Sequence, residues 1–270
     1  MKKVTPQDSW PDTWRYSYPY DLQEIYGEIH HYGYAYAYAN RRRRTLELVQ
    51  EVLPEGASIL DLAAAQGNFS LSLAELGFEV TWNDLREDLA DYVRLKHEKG
   101  VVHYAPGNAF DLGFKDKFDC VLITEIIEHV AHPDEFLKKT AVMVKPGGYI
   151  VMSTPNGRYF INDLPKFSDC PDPSIFESQQ FKPNSDGHIF LLWPDEIASL
   201  GAAAGLVLEK HECFTNPLTT GHVKTEHLLK ILPKSFVDAM EGLTNALPDC
   251  LRERISAASC TRYMKPVKPV

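Results

Sequence analysis

Residues 59–68 read ILDLAAAQGN, a short apolar run that contains one acidic residue and passes through tiny side chains into an amphipathic stretch. The preceding Pro54-Glu55-Gly56 interrupts regular structure. Phe69, Leu73 and Leu76 then follow at helical spacing. The order strand, tight turn, helix is typical of a site where a ligand lies against exposed backbone and a helix N-terminus. We therefore expect a binding loop here.

Outward from this loop, the chain alternates β-rich runs with helical stretches, the pattern of a parallel sheet covered on both faces. The predicted strands are residues 58–62, 78–82, 101–104, 118–123, 149–153, 206–212 and 259–267. The predicted helices cover 34–53, 69–76, 85–93, a stretch through Phe136, Leu137 and Val144, 195–204, and about 224–256. Residues 155–194 hold six prolines without an apolar period, which predicts a long irregular loop. The expected fold class is α/β.

Polar residues mark the ends of the next predicted strands. The second strand leads to Asn83-Asp84, and the third leads to Gly107-Asn108-Ala109. A dinucleotide fingerprint would need small residues at positions 63, 65 and 68, whereas the spacing D-x-G-x-G-x-G needs them at 63, 65 and 67. Ala63, Ala65 and Gly67 fit the second spacing.

With these segments the chain resembles the class I S-adenosylmethionine-dependent methyltransferases over roughly residues 45–213. The resemblance implies a Rossmann-like, seven-stranded, mostly parallel sheet with helices on both faces, and S-adenosylmethionine as the cofactor. It implies that Asp84 holds the ribose hydroxyls and that the amide oxygen of Asn108 meets the adenine amino group. The implied cofactor-binding residues are Asp61, Ala63, Ala65, Gly67, Asn68, Asp84, Leu85, Asn108, Ala109 and Glu125.

Two alanines stand where that family usually has glycine. The methyl groups of Ala63 and Ala65 tighten the turn beside the expected methionine carboxylate. One alternative is a purely structural turn in which Asp61 accepts hydrogen bonds. Another is a protein that binds the cofactor without catalysing a reaction.

A second cluster, with the sequence TEIIEH, follows the fourth predicted strand. If residues 125–130 form one helical turn, Glu125, Glu128 and His129 project to one side. Two carboxylates and an imidazole suit a divalent cation, and His188 in the proline-rich loop is the candidate fourth ligand. The alternative is that the acidic residues stabilise a helix N-terminus and that His188 bonds to its own loop.

This cluster, with His188 ahead of Pro194-Asp195-Glu196, resembles the ubiquinone-biosynthesis O-methyltransferases and the small-RNA 2′-O-methyltransferases that carry such a metal site. The ligands that the resemblance implies for Mg, Mn, Fe or Zn are Glu125, Glu128, His129 and His188. Methyl transfer from a sulfonium is an in-line displacement, and a cation would orient an acceptor hydroxyl and lower its pKa. Without a metal, His129 or His188 is the candidate catalytic base, with His132 as another.

Composition limits the class of protein. The 270 residues carry 28 Lys and Arg against 37 Asp and Glu, a formal charge of −9, which disfavours nucleic acid as a partner. The basic run Arg41–Arg44 is more often a solvated helix face than a binding site. No apolar run reaches the length of a membrane helix, no leader segment is visible, and the five cysteines form no disulfide or metal pattern. We expect a cytoplasmic protein.

The segments around the expected sheet supply the rest of the site. The predicted division is a helical, Tyr-rich N-terminal lid (1–54), a cofactor-binding core (55–213) with a loop insertion (155–193), a helical insertion (214–258), and a last strand with a tail (259–270). The aromatic candidates for an acceptor pocket are Tyr32, Tyr36, Phe160, Phe181 and Trp193.

The sequence therefore predicts an S-adenosylmethionine-dependent O-methyltransferase that acts on a hydroxylated small molecule, with metal assistance left open. The alternatives are a metal-free N- or carboxyl-methyltransferase, an RNA 2′-O-methyltransferase, which the acidic charge disfavours, and a catalytically silent cofactor-binding protein. A homodimer is one assembly that the sequence allows.

Overall fold

The computed structural model describes residues 1–180 and 187–267, and in that part of the chain a sheet of seven strands forms the centre. The strands are β1 (Ser58–Leu62), β2 (Glu79–Trp82), β3 (Val101–Tyr104), β4 (Phe118–Thr124), β5 (Val144–Pro155), β6 (Val207–Phe214) and β7 (Ala258–Met264). Their order is β3-β2-β1-β4-β5-β7-β6, with β7 antiparallel to both neighbours and the other pairs parallel. The predicted α/β, mostly parallel, Rossmann-like sheet is confirmed.

Helices surround this sheet. The α-helices are α1 (Asp12–Glu24), α2 (Tyr32–Gln50), α3 (Asn68–Glu75), α4 (Leu89–Lys96), α5 (Pro133–Met143), α6 (Pro194–Ala203), α7 (Pro217–Thr220), α8 (Glu226–Leu229), α9 (Lys234–Asn245) and α10 (Asp249–Ile255). Short 3₁₀ segments lie at Ala109–Asp111, Ile127–His129, Phe167–Asp169 and Pro173–Gln179. Among the helices described here, none has both the length and the apolar character that crossing a bilayer requires.

Two predicted helix boundaries are wrong, one for a local reason and one because of sheet pairing. The helix expected from residue 85 begins at Leu89, because Leu85 is exposed and the backbone N–H of Arg86 donates to the Asp84 carboxylate instead. Val144 is not the last apolar residue of a helix. It begins β5 by pairing with Phe118 of β4, since sheet pairing outweighs the helical spacing that the sequence suggested.

The N-terminal region contains two helices rather than the one that periodicity predicts. Helix α2 begins at Tyr32, two residues before the prediction, and packs against β5 and β7. Helix α1 escaped the sequence analysis because it contains Pro19 and lacks a clear apolar stripe. It packs on α2 and on α4, and so lies beside the loops that leave β1 and β2.

The strand order positions the site. Strands β1 and β4 are neighbours, while the chain proceeds from β1 to β2 and β3 on one side and from β4 to β5 on the other. Open α/β sheets bind ligands at such a switch point, outside the carboxyl ends of the strands. Leu62 pairs with Ile123, so the loops that follow β1 and β4 begin side by side.

Candidate active site

The loop of residues 63–67, called the cofactor loop below, connects β1 to α3 through left-handed backbone conformations. Ala63 and Ala65 have φ angles of 54° and 48°, and Gly67 has 72°. Glycine adopts this region without steric cost, so both alanines hold a conformation that usually selects glycine. A Cβ on Gly67 would lie 2.7 Å from a methyl group of Val93, which excludes a larger residue there.

Asp61, near the end of β1, is buried and only half satisfied. Its Oδ2 accepts a hydrogen bond of 2.5 Å from the Ser70 hydroxyl, while its Oδ1 has no hydrogen-bond partner among the described residues. Burial raises the pKa of Asp61 to about 7, because the ionised carboxylate loses its hydration. Such a carboxylate suits a cationic ligand group that would satisfy the remaining oxygen.

Asp84 follows β2 and links the cofactor loop to the next turn. Its Oδ2 accepts from the backbone N–H of Ala65 at 2.8 Å, and its Oδ1 accepts from the backbone N–H of Arg86 at 2.9 Å. The Arg86 guanidinium also contacts this carboxylate at 3.0 Å, with 44% of its side chain exposed. Ribose hydroxyls at Asp84 would therefore compete with the partly exposed guanidinium of Arg86 for this carboxylate. Leu85, 56% exposed, lies next to Asp84 in the chain.

Asn108, the predicted adenine contact, caps a short 3₁₀ segment. Its Oδ1 accepts from the backbone N–H of Phe110 at 3.2 Å, and its Nδ2 donates to Asp111 at 2.9 Å. An amide oxygen has two lone pairs, so one acceptor position on Oδ1 is left for a ligand amino group. The neighbouring Ala109 is buried.

Asn68 begins α3, and its side-chain amide is engaged within the protein. Its Nδ2 donates to Asp21 and to Glu24 at 2.8 Å each, and its Oδ1 accepts from Lys96 at 2.8 Å. These partners come from α1 and α4, and sequence reasoning found none of them. The amide therefore ties two helices to the end of the cofactor loop.

The turn after β4 is not the helical turn that the sequence predicts. The 3₁₀ segment covers only Ile127–His129, and Glu125 has a φ angle of 54°. The Glu125 carboxylate accepts from the Ser153 hydroxyl at 2.9 Å and forms an ion pair of 3.0 Å with Arg41. Glu125 thus has a cationic partner from α2, apart from the cluster that follows.

Glu128, His129 and His188 come together as a potential metal site. One ligand atom from each lies within 4.8 Å of the others. Glu128 is fully buried: its Oε2 accepts from Thr154 at 3.0 Å, and its Oε1 has no hydrogen-bond partner within the described part of the chain. The backbone N–H of Ile189 donates to the Glu128 carbonyl at 2.7 Å, which holds the loop of His188 in place.

Burial and the nearby Glu125 charge raise the pKa of Glu128 well above its usual range. The imidazole rings of His129 and His188 lie 4.8 Å apart between centroids, with an angle of 62° between them. Three of the four predicted metal ligands therefore form one group, whereas the nearby Glu125 carboxylate is paired with Arg41 instead. A bound cation would satisfy the open oxygen of Glu128 and favour its ionised form.

Arg41 belongs to the candidate site through its ion pair with Glu125, although the basic run Arg41–Arg44 predicts a solvated helix face. That interpretation is right for Arg43, which is exposed and pairs with Glu47 of its own helix. Arg41 instead shares a helical face with the buried Tyr38 and Thr45, at i−3 and i+4. This spacing was the available signal.

Other predicted candidates lie outside these clusters. His132 pairs with Glu177 at 2.9 Å. The ring of Trp193 is covered by Lys166 at 3.8 Å from the ring centroid, and Phe160 is exposed. The rings of Tyr32 and Tyr36 contact each other within α2 at an angle of 46°, and Phe181 lies outside the described residues.

Two cavities lie at opposite ends of the strands. One of about 240 Å³ adjoins the cofactor loop, and its lining residues are Tyr16, Ser17, Tyr20, Glu24, Tyr34, Ala65, Gln66 and Arg86. A larger one of about 460 Å³ lies at the opposite end of the strands, between residues 52–57 and 145–149. The smaller cavity lies at the carboxyl ends of the strands, the edge at which open α/β sheets bind ligands.

Comparisons with known proteins identify the family of this chain. The profile of a family described as "Methyltransferase domain" matches residues 30–211. A ubiquinone biosynthesis O-methyltransferase of Caulobacter vibrioides is 35% identical over 114 residues, covering 38% of this chain and 42% of that protein. Another, of Hydrogenovibrio crunogenus, is 29% identical over 183 residues, covering 64% of this chain and 72% of that protein. The chain thus spans less than half the length of the Caulobacter relative in this match.

Among solved structures, phosphoethanolamine N-methyltransferase 2 of Haemonchus contortus, in complex with S-adenosyl-L-methionine, has a TM-score of 0.53 at 18% identity. The match covers 83% of this chain and 52% of that chain. At this level of identity the likeness shows the fold alone.

Proposed function

This chain belongs to the methyltransferase domain family of S-adenosylmethionine-dependent enzymes, and from that premise we propose that it methylates a hydroxyl of a small molecule with the help of a divalent cation. One observation carries the proposal. Glu128 and His129 follow β4, directly beside β1 and its cofactor loop, and His188 joins them from the loop ahead of α6. A cation there would lie close to a methyl donor bound across the switch point.

The residues of the cofactor loop fit the chemical groups of S-adenosylmethionine. Asp61 offers an unpartnered buried carboxylate oxygen, which suits the ammonium group of the methionine moiety. Asp84 offers a carboxylate to the ribose hydroxyls, with Asn108 for the adenine amino group. When bound, the cofactor supplies an electrophilic methyl group on a sulfonium sulfur.

The second cluster fits a metal ion. Two imidazoles and one carboxylate match the ligand preferences of Zn²⁺, Fe²⁺ and Mn²⁺ better than those of Mg²⁺, which prefers oxygen ligands. The open Oε1 of buried Glu128 supports this assignment. When bound, a divalent cation would lower the pKa of an acceptor hydroxyl and orient it.

The protein's own residues have separate tasks in this scheme. Glu128, His129 and His188 would hold the cation beside the acceptor hydroxyl. The Thr154 hydroxyl and the Ile189 backbone N–H keep Glu128 in position. Arg41 neutralises Glu125, which limits the negative charge beside the acceptor. In the metal-free form of the scheme, His129 or His188 takes the proton of the acceptor hydroxyl.

The most specific part of the proposal is the chemical class of the methyl acceptor. The relatives named for ubiquinone biosynthesis support a small molecule with a hydroxyl group. The charge of −9 disfavours a polyanionic acceptor such as RNA. A panel of hydroxylated small molecules, monitored by release of S-adenosylhomocysteine, identifies the acceptor.

Calorimetric titration with S-adenosylhomocysteine tests the cofactor part, and absence of binding would overturn it. Metal analysis of the purified protein, with activity measured before and after chelation, tests the metal part. We expect His129→Ala to lose both bound metal and activity. His132→Ala is the matched control, because His132 pairs with Glu177 outside the cluster. Equal activity in all of these samples would refute the role of the metal.

A further inference from the structure

Helix α1 places two carboxylates against the cofactor loop. Asp21 accepts hydrogen bonds from Asn68 Nδ2 at 2.8 Å, from the Tyr92 hydroxyl at 2.7 Å and from Lys96 Nζ at 2.7 Å. Glu24, one turn later, accepts from Asn68 Nδ2 at 2.8 Å. The amide of Asn68 is thus held between two residues of α1 at the point where the loop becomes α3.

The ion pair between Asp21 and Lys96 is completely buried. Both side chains have no exposed surface, and Lys96 Nζ also donates to Asn68 Oδ1 at 2.8 Å. Burying two charges costs hydration, and apolar residues of similar size often stabilise a fold equally well. Docking of α1 alone therefore does not explain why this ion pair is buried. Its hydrogen bonds with Asn68 point to a role in holding the cofactor loop.

Glu24 extends the same network along the loop. Its Oε2 also accepts from the side-chain amide of Gln66 at 3.2 Å, and its other oxygen accepts from the Tyr34 hydroxyl. Gln66 lies between Ala65 and Gly67, in the middle of the tight turn. Helix α1, whose Glu24 is also bonded to Tyr34 of α2, thus holds the turn itself as well as its end.

The backbone of this turn is strained in a way that requires such support. Ala63 and Ala65 adopt left-handed φ angles, which an alanine reaches only at a steric cost that glycine avoids. Strained backbone persists where surrounding contacts over-determine it. On the other side of the loop, the Ala65 N–H donates to Asp84 and its carbonyl accepts from Trp82 Nε1 at 3.0 Å.

We infer that Asp21 and Glu24 are positioning residues, which hold the alanine-containing cofactor loop in its binding conformation through Gln66 and Asn68. The inference rests on the proposed cofactor site. Helix α1 thus offsets the steric cost of the left-handed alanines, a cost that glycine residues at these positions would not have. Docking of α1 and binding of the cofactor are coupled.

The first test compares Glu24→Gln with the matched control Glu28→Gln, since Glu28 contacts Lys3 on the surface. Calorimetry with S-adenosylhomocysteine should show affinity reduced about tenfold for Glu24→Gln, as expected for a lost charge-assisted hydrogen bond. The control should match the wild type. The KM for S-adenosylmethionine should rise while kcat stays the same. Equal affinities of both variants and the wild type would overturn the inference.

A second substitution separates positioning from mere structural support. Ala65→Gly removes the steric cost of the left-handed turn, so it should restore most of the affinity lost in Glu24→Gln. Unrestored affinity in the double variant would contradict the inference.

The buried pair provides a further test that compares stability with affinity. Asp21→Asn or Lys96→Met alone should lower the melting temperature, and the double variant should recover part of it because no lone charge stays buried. Affinity for S-adenosylhomocysteine should stay low in the double variant, because Asn68 Oδ1 still lacks its lysine donor. Recovery of affinity together with stability would show a structural role only. Failure of the wild type to bind would instead refute the proposed function.

Discussion

Two regions of the candidate site share one electrostatic arrangement. The Asp61 corner consists of Asp61, Asp84 and the cofactor loop, and the Glu128 corner consists of Glu125, Glu128, His129 and His188. In each corner one carboxylate has an arginine partner, Arg86 for Asp84 and Arg41 for Glu125. The other carboxylate is buried, holds one hydroxyl donor and leaves one oxygen unpartnered.

The corners differ in the groups around the buried carboxylate. Asp61 adjoins a turn of backbone amides, whereas Glu128 adjoins two imidazole rings. Backbone and a carboxylate suit the zwitterionic end of an organic ligand, while imidazoles and a carboxylate suit a transition metal. The difference teaches that a buried carboxylate with an open oxygen suits a cationic group, and that the neighbouring side chains determine which kind of cation fits it best.

Glu128→Gln should have the largest effect. The amide keeps the shape but lacks the charge that a divalent cation requires, so we expect metal-dependent activity to fall at least ~100-fold. S-adenosylhomocysteine affinity should stay unchanged, because the cofactor contacts belong to the Asp61 corner. Glu177→Gln, on the exposed partner of His132, is the control. If Glu128→Gln weakens cofactor binding and spares activity, the division between the corners is wrong.

Asp84→Asn should give the opposite pattern. Losing a charged acceptor for the ribose hydroxyls should cost about 1.5–3 kcal/mol, or roughly 10- to 100-fold in S-adenosylhomocysteine affinity. Metal content should stay the same, as measured on the purified protein. Asp91→Asn serves as the control, because Asp91 is exposed and pairs only locally with Arg94. Loss of metal from Asp84→Asn would show that the corners are not independent.

The pH dependence of cofactor binding should report on Asp61. Its pKa in the cofactor-free protein is about 7, so below pH 7 the carboxylate is protonated and attracts an ammonium group less. We expect S-adenosylhomocysteine affinity to fall by up to about tenfold per pH unit below 7, and Asp61→Asn to flatten this profile. Titrations between about pH 5.5 and 8 measure it. An unchanged slope in Asp61→Asn would assign the titration to another group.

The titration of Asp61 also makes the stability of the folded protein depend on pH. Because the folded-state pKa of Asp61 is raised from 3.8 to about 7, its protonated form favours the native state. That contribution is fully present below pH 3.8 and is lost as pH rises through 7. Denaturation of the cofactor-free protein should therefore show less loss of stability across this range in Asp61→Asn than in the wild type.

The smallest effect on binding should come from the opposite end of the sheet. Asp119 accepts from the Ser58 backbone N–H and hydroxyl and pairs with Lys145 at 2.8 Å, beside the larger cavity. Asp119→Asn should lower the free energy of unfolding by about 1 kcal/mol, measured by denaturant titration. Affinity for S-adenosylhomocysteine should match the wild type. A change in affinity would extend the binding site beyond the carboxyl ends of the strands.

Sequence patterns predicted the structure correctly where the structure depends on neighbouring residues in the chain. Alternating apolar runs predicted the strands, and the small residues at 63, 65 and 67 predicted the loop, because both depend on neighbours in the chain. They were insufficient at Val144, whose sheet partner Phe118 lies 26 positions away. They also failed at Glu125, where a left-handed φ angle replaced the expected helical turn.

The sequence by itself determined the sheet and the edge at which Asp61, Asp84 and Glu128 meet, because parallel strands bring the residues after their carboxyl ends together. Only the tertiary structure decided how each charge is compensated. Lys96 and its partner Asp21 are 75 positions apart in the sequence. Arg41 of α2 pairs with Glu125, which follows β4. Such pairs depend on how helices pack onto the sheet, which no local pattern records.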